Sequence, residues 1–109
     1  MADISVGSGV EANAGKIVAI HYIGKFVGGK SFDDSFKRDE PLVFELGAGN
    51  VIKGLERGIE GMRVNGKRRI VISPEMAYGD KGLKTNDGGY VIPPGSTIEF
   101  DVLLLDAGK

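Results

Sequence analysis

Only one stretch of this chain, Val51 to Met62, repeats its apolar residues at helical spacing; the other apolar stretches alternate residue by residue. In it Ile52, Leu55, Ile59 and Met62 recur three and four positions apart, with Lys53, Glu56, Arg57 and Glu60 between them, the pattern of a helix with one buried face. Asn50 is placed to cap its first turn. Alternation marks strands at Lys16–Ile23, where Val18, Ile20 and Tyr22 oppose Ala19 and His21, and at Leu42–Leu46, where Leu42, Phe44 and Leu46 share a face. It marks further strands at Lys67–Ser73 and at Ile98–Leu104, where Ile98, Phe100, Val102 and Leu104 point one way. Gly28-Gly29 supplies a turn, and Ser73-Pro74 reads as a cap followed by a short helical turn. Several antiparallel strands and a single apolar-faced helix predict an α+β domain, a half-open twisted antiparallel sheet wrapped around that one amphipathic helix.

At 109 residues, with 41% hydrophobic and 27% charged, the chain has material for one core and one domain, 1–109. Its formal net charge of -1 sets up no field to gather nucleic acid or an anionic membrane. With no cysteine, thiolate metal sites and a cysteine nucleophile are both excluded. The start, Met1-Ala2-Asp3-Ile4-Ser5, has no charged and apolar leader pattern, so a cytoplasmic monomer is the expectation.

The chemical motifs fail on inspection. Gly49 to Gly54 has the glycine spacing of a phosphate loop, but Leu55 and Glu56 follow where Lys and Ser or Thr are needed. Gly47-Ala48-Gly49 lacks the third glycine and the βαβ setting of a dinucleotide site. The single histidine, His21, reads as a solvent-facing strand residue, not the base of a triad. Lys67-Arg68-Arg69 divides its charges between two faces of a strand. Asp33 and Asp34, adjacent in an extended segment, point apart and do not share an ion.

What remains is a set of aromatic and aliphatic residues at strand ends and in loops: Tyr22, Phe32, Phe44, Ile52, Leu55, Tyr78, Val91, Ile92 and Phe100. Phe44 and Leu55 alone would read as core. Phe32 and Tyr78, in the turn-rich stretches Ser31–Asp34 and Ala77–Gly79, read as displayed.

At these residues the chain resembles the FKBP-type, macrolide-binding peptidyl-prolyl cis/trans isomerases, from about Gly15 to Leu105. The resemblance is carried by His21-Tyr22-Ile23-Gly24, Phe32-Asp33-Asp34-Ser35, Phe44-Glu45-Leu46-Gly47, Val51-Ile52-Lys53-Gly54-Leu55-Glu56, Met76-Ala77-Tyr78-Gly79 and Val91-Ile92-Pro93-Pro94, in that order. It implies rotation about X-Pro bonds in peptides and folding chains, with no cofactor and no metal. It also implies a prolyl pocket walled by Tyr22, Phe32, Asp33, Val51, Ile52, Tyr78, Val91, Ile92 and Phe100, flanked by Arg38, Leu42, Phe44 and Ala77. In the family, the residues matching the Ile52 amide and the Tyr78 hydroxyl bind ligand carbonyls. Asp33 is expected either to support Tyr78 or the bound carbonyl, or to be a satisfied structural carboxylate.

Two departures stand out: Leu55 occupies the pocket floor where the family has tryptophan, and the segment Gly79 to Val91 is longer than in minimal members. The first implies reduced macrolide affinity and feeds the competing reading of a non-catalytic module that binds prolyl segments. An acid/base enzyme using Asp33 or Glu56 is the other competitor, and it lacks a partner group. The polar, glycine-rich segment Asp80 to Tyr90 is predicted to form a hairpin-like flap beside the pocket.

Overall fold

The strand read most plainly from the sequence, β8 (Ile98–Asp106), lies at the centre of the sheet in the computed structural model, which describes residues 2–108. It pairs antiparallel with β2 (Ile17–Phe26) on one edge and β5 (Lys67–Ile72) on the other. β1 (Ala2–Ser5) extends the sheet beyond β5. The far edge of β2 is shared: β4 (Leu42–Glu45) pairs with its first half and β3 (Ser31–Asp34) with its second. The result is a six-stranded antiparallel sheet.

Alternation sorts the strand faces as the residue types require. Val18, Ile20 and Tyr22 of β2, Ile70 and Ile72 of β5, and Ile98, Phe100, Val102 and Leu104 of β8 are all buried. Against this face packs α2 (Lys53–Ile59), through Leu55 and Ile59. Gly54 and Gly58 bring it close: a Cβ on Gly58 would lie 2.5 Å from Ile70 Cδ1, and one on Gly54 2.4 Å from Ile72 Cγ2.

α2 is shorter than the predicted Val51–Met62. Ile52, not Asn50, occupies the cap position and makes no side-chain cap. The chain leaves the helical conformation at Glu60, and Gly61 turns it with φ of +88°. The loop entering the helix is tied by Glu56 instead, whose Oε2 accepts from the amides of Gly47 (2.6 Å) and Gly49 (3.3 Å). That use removes Glu56 from acid/base candidacy. Ser73 caps no amide either; its hydroxyl donates to Glu75 ahead of the 3₁₀ turn Pro74–Met76.

A second helix, α1 (Ser35–Arg38), was not foreseen, being too short to show a period. Asp34 caps it, accepting from the amides of Phe36 and Lys37. α1 covers His21, so that residue is half-buried and its ring stacks on Phe36 at 4.5 Å, in place of the solvent-facing histidine expected. The segment 80–90 does form a hairpin, with β6 (Leu83–Lys84) paired to β7 (Tyr90–Ile92). Among the described residues no helix is long and apolar enough to cross a membrane.

Candidate active site

Between α2, the concave face of the sheet and the β6–β7 hairpin lies a cavity of about 500 Å³, a size that accommodates a small ligand or side chain. Ten of the residues expected in the pocket line it: Tyr22, Phe32, Asp33, Leu42, Val51, Ile52, Leu55, Tyr78, Val91 and Phe100. Phe100 and Tyr22 come from the central strands, their rings 5.8 Å apart; Phe32 meets Phe100 edge-on at 5.9 Å. Phe32 sits on β3, not in a turn as its sequence context suggested. Gly24, two residues after Tyr22 on the same face, makes this clustering possible. A Cβ there would lie 2.9 Å from both the Phe32 and Phe100 rings, so any larger residue would push the aromatic wall apart.

Four expected residues lie outside this lining. Phe44 is buried on β4 opposite Val18 and belongs to the core, as does Ile92, only 1% exposed. On β7 alternation puts Val91 toward the cavity and sends Ile92 to the interior. Ala77 packs against the core just before Tyr78. Arg38 lies beside the cavity wall and reaches it through other residues.

Asn50 and Leu83 complete the lining, and both were missed. Leu83 did carry a signal, being the one large apolar residue within the polar run Asp80 to Gly89.

The polar side of the cavity is a closed triad. The Tyr22 hydroxyl donates to Asp33 Oδ2 at 2.6 Å, Arg38 pairs with Asp33 Oδ1, and Arg38 Nη2 donates to the Tyr22 oxygen at 3.1 Å. Burial disfavours the charge on Asp33, but the hydrogen bonds from Tyr22 and Arg38 together outweigh it and hold the carboxyl below the ordinary aspartate range. Burial, and then the Asp33 carboxylate, push the Tyr22 phenol upward. Asp33 therefore supports Tyr22, not Tyr78 as one reading of the sequence had it.

Tyr78 shows the opposite condition. Its hydroxyl meets no hydrogen-bond partner among the described residues, and burial, with the nearby Asp33 charge, raises its pKa. The Ile52 N–H likewise donates to no acceptor among the described residues, while its carbonyl accepts from Leu55 and Glu56. The cavity thus combines an apolar aromatic wall, an ion pair already satisfied, and two free neutral donors. Among the described residues no group of three or more His, Asp or Glu is placed to hold a metal ion.

The family model for FKBP-type peptidyl-prolyl cis-trans isomerases matches residues 9–105. The chain belongs to this FKBP family. It is 45% identical over 106 residues to the chloroplastic peptidyl-prolyl cis-trans isomerase FKBP13 of Arabidopsis thaliana, a match covering 92% of this chain and 51% of that one. It thus spans about half the length of that relative. An FK506-binding protein of Neisseria meningitidis is 45% identical, with 94% of this chain and 90% of the relative covered. The FKBP fold is equally plain in three dimensions. The crystal structure of AtFKBP13 superposes with a TM-score of 0.89 at 42% identity, covering 97% of this chain and 90% of that chain. FkpA from Escherichia coli gives 0.80 at 39% identity, covering 95% of this chain and 45% of that chain.

Proposed function

We propose that the aromatic-walled cavity binds X-Pro segments of peptides and folding chains and accelerates rotation about the bond preceding proline, without proton transfer or a cofactor. The observation that carries this reading is the pairing of two unpartnered neutral donors, the Ile52 amide and the Tyr78 hydroxyl, with a cavity whose ionisable group is already neutralised.

The planar X-Pro amide resists rotation by roughly 18–20 kcal/mol because twisting removes its resonance. In the twisted state the nitrogen lone pair is localised and the charge separation of the planar amide is lost. A cavity walled by Phe32, Phe100, Val51 and Leu55 penalises the polar planar form more than the twisted one, and the two donors orient the flanking carbonyls. A thousand-fold acceleration needs only about 4 kcal/mol of such differential stabilisation. FK506-binding relatives support the same cavity as a macrolide site, with Leu55 in place of an indole lowering the affinity.

A protease-coupled assay on proline-containing peptides tests the reading: the protein should speed the cis-to-trans phase. An unchanged rate alongside measurable peptide binding would make it a module that holds prolyl segments. Tyr78→Phe should weaken a prolyl ligand by roughly 0.5–1.5 kcal/mol, one neutral hydrogen bond, at unchanged melting temperature. Unaltered affinity with a marked loss of stability would return Tyr78 to the core.

A further inference from the structure

Ser35 is the only polar residue among the described residues with no exposed surface, and its position answers a gap in the sheet. Along the outer edge of β2, the β4 ladder ends at Ile20, opposite Leu42, and the β3 ladder ends at Ile23, opposite Asp34. His21 and Tyr22 fall between the two ladders, so neither β3 nor β4 pairs with Tyr22, and Ser35 is the first residue past the end of β3. A buried backbone group left there without a partner would be costly. The Ser35 hydroxyl takes the place of the absent strand: its oxygen accepts from the Tyr22 N–H at 2.7 Å, and its O–H donates to the Tyr22 carbonyl at 3.3 Å. His21 Nδ1 is 2.9 Å from the same oxygen. A hydroxyl has one proton and two lone pairs, so all three contacts are satisfied together when His21 carries its proton on Nδ1.

Ser35 lies two residues after Asp33 and three before Arg38. One short segment therefore grips Tyr22 twice, by its backbone through Ser35 and by its phenol through Asp33 and Arg38. Asp34, between them, caps α1 and holds the segment in shape.

We propose that Ser35 is a positioning residue for the prolyl site: by supplying the missing strand contact to the Tyr22 backbone, it sets the segment 33–38 against β2 so that Asp33 and Arg38 meet the Tyr22 hydroxyl. The proposal rests on the cavity being the prolyl site. It differs from a purely structural role in a definite way. A structural pin would change how much protein is folded, whereas a positioning residue changes what the folded protein's Tyr22 and Asp33 do.

The test compares Ser35→Ala with the wild type in peptide isomerisation and in a 13C NMR titration of the Asp33 carboxyl, on protein whose amide spectrum shows it folded. The variant's kcat/KM should fall on the order of tenfold, carried by kcat, since misplacing a group by a fraction of an ångström is enough to cost that much. Its Asp33 should titrate higher, having lost the Tyr22 hydrogen bond. In long-range 15N spectra the wild type should show the Nδ1–H tautomer of His21 and the variant should lose it. Wild-type kcat/KM and wild-type Asp33 titration in the folded variant would overturn the proposal, as would an Nε2–H tautomer in both proteins. Should Ser35→Ala not fold, Ser35→Cys fills nearly the same space with a weak donor and acceptor. It should shift both readouts the same way by a smaller amount, and wild-type values would again overturn the proposal. The Asp33 titration reports the Tyr22 contact even if peptide turnover is absent, which separates failure of this role from failure of the isomerase reading.

Discussion

Asp33 Oδ2 accepts a 2.6 Å hydrogen bond from the Tyr22 hydroxyl, eleven residues earlier in the chain, and this bond gives the cavity its electrostatic character. With Arg38 on the other carboxylate oxygen, the charge of Asp33 is neutralised within the triad and is not available as a base.

The pH dependence follows from that arrangement. Ordinary values near 4 for aspartate and 10 for tyrosine already lie away from neutrality. Here Asp33 is lowered while Tyr22 and Tyr78 are raised, which widens the interval between them. We expect kcat/KM to be flat between about pH 5 and 9. The depressed Asp33 contributes stability that is present above its unfolded value and lost as pH falls through its folded one. The raised tyrosines contribute stability that is present below about 10 and lost as pH rises through their folded values. Denaturation midpoints measured across pH should therefore decline at both extremes, and a bell-shaped rate profile centred near neutrality would contradict catalysis without proton transfer.

Leu55 lines the cavity and is only 4% exposed. Leu55→Trp should raise macrolide affinity by adding flat apolar area and an indole donor, provided the protein's melting temperature shows the larger ring to be accommodated. Calorimetric titration checks this. Unchanged affinity in a folded variant would mean the position is not the pocket floor.

Gly58 faces Ile70 so closely that even a methyl group would overlap its side chain. Gly58→Ala should lower stability by about 1–3 kcal/mol through overpacking, in spite of alanine's higher helix propensity of about 1 kcal/mol. Urea denaturation would measure it. A stabilised variant would show that α2 can shift away from β5 at little cost.

The hairpin presents two faces. Leu83 and Val91 line the prolyl cavity, whereas Lys84 and Tyr90, with Asp80 and Lys81, border a separate cleft. Leu83→Ala should therefore compress the differences in kcat/KM across peptides varied at the residue before proline, with stability nearly unchanged because Leu83 is 38% exposed. A uniform change across the series would make the hairpin a spacer.

Much of this architecture is legible in the chain because it depends on local periodicity. The alternation of Ile98, Phe100, Val102 and Leu104, and the helical spacing of Leu55 and Ile59, determine which side of each element is buried, whatever it packs against. The hairpin was legible as well, through Asn86-Asp87-Gly88-Gly89, and so was the aromatic wall, through the stretches that resemble the FKBP family and through Tyr78 in its turn-rich setting.

The tertiary structure alone decided the partners. The sequence leaves Asp33 open between supporting Tyr78 or the bound carbonyl and being a satisfied structural carboxylate; the register of β3 against β2, Gly24 opposite Asp33, brings its carboxylate to Tyr22. Ile92 shared the composition of a wall residue, and only its position on β7, with its side chain opposite in direction to that of Val91, sent it into the core. His21 alternated like a solvent-facing residue until the four-residue helix α1, too short to leave a period, folded over it. Ser35 belongs to the stretch Phe32-Asp33-Asp34-Ser35, but nothing in its spacing marks the contact it makes. Its importance arises because β3 and β4 end on either side of Tyr22, and a gap between two strands is a property of their pairing in space, which no spacing along one chain encodes.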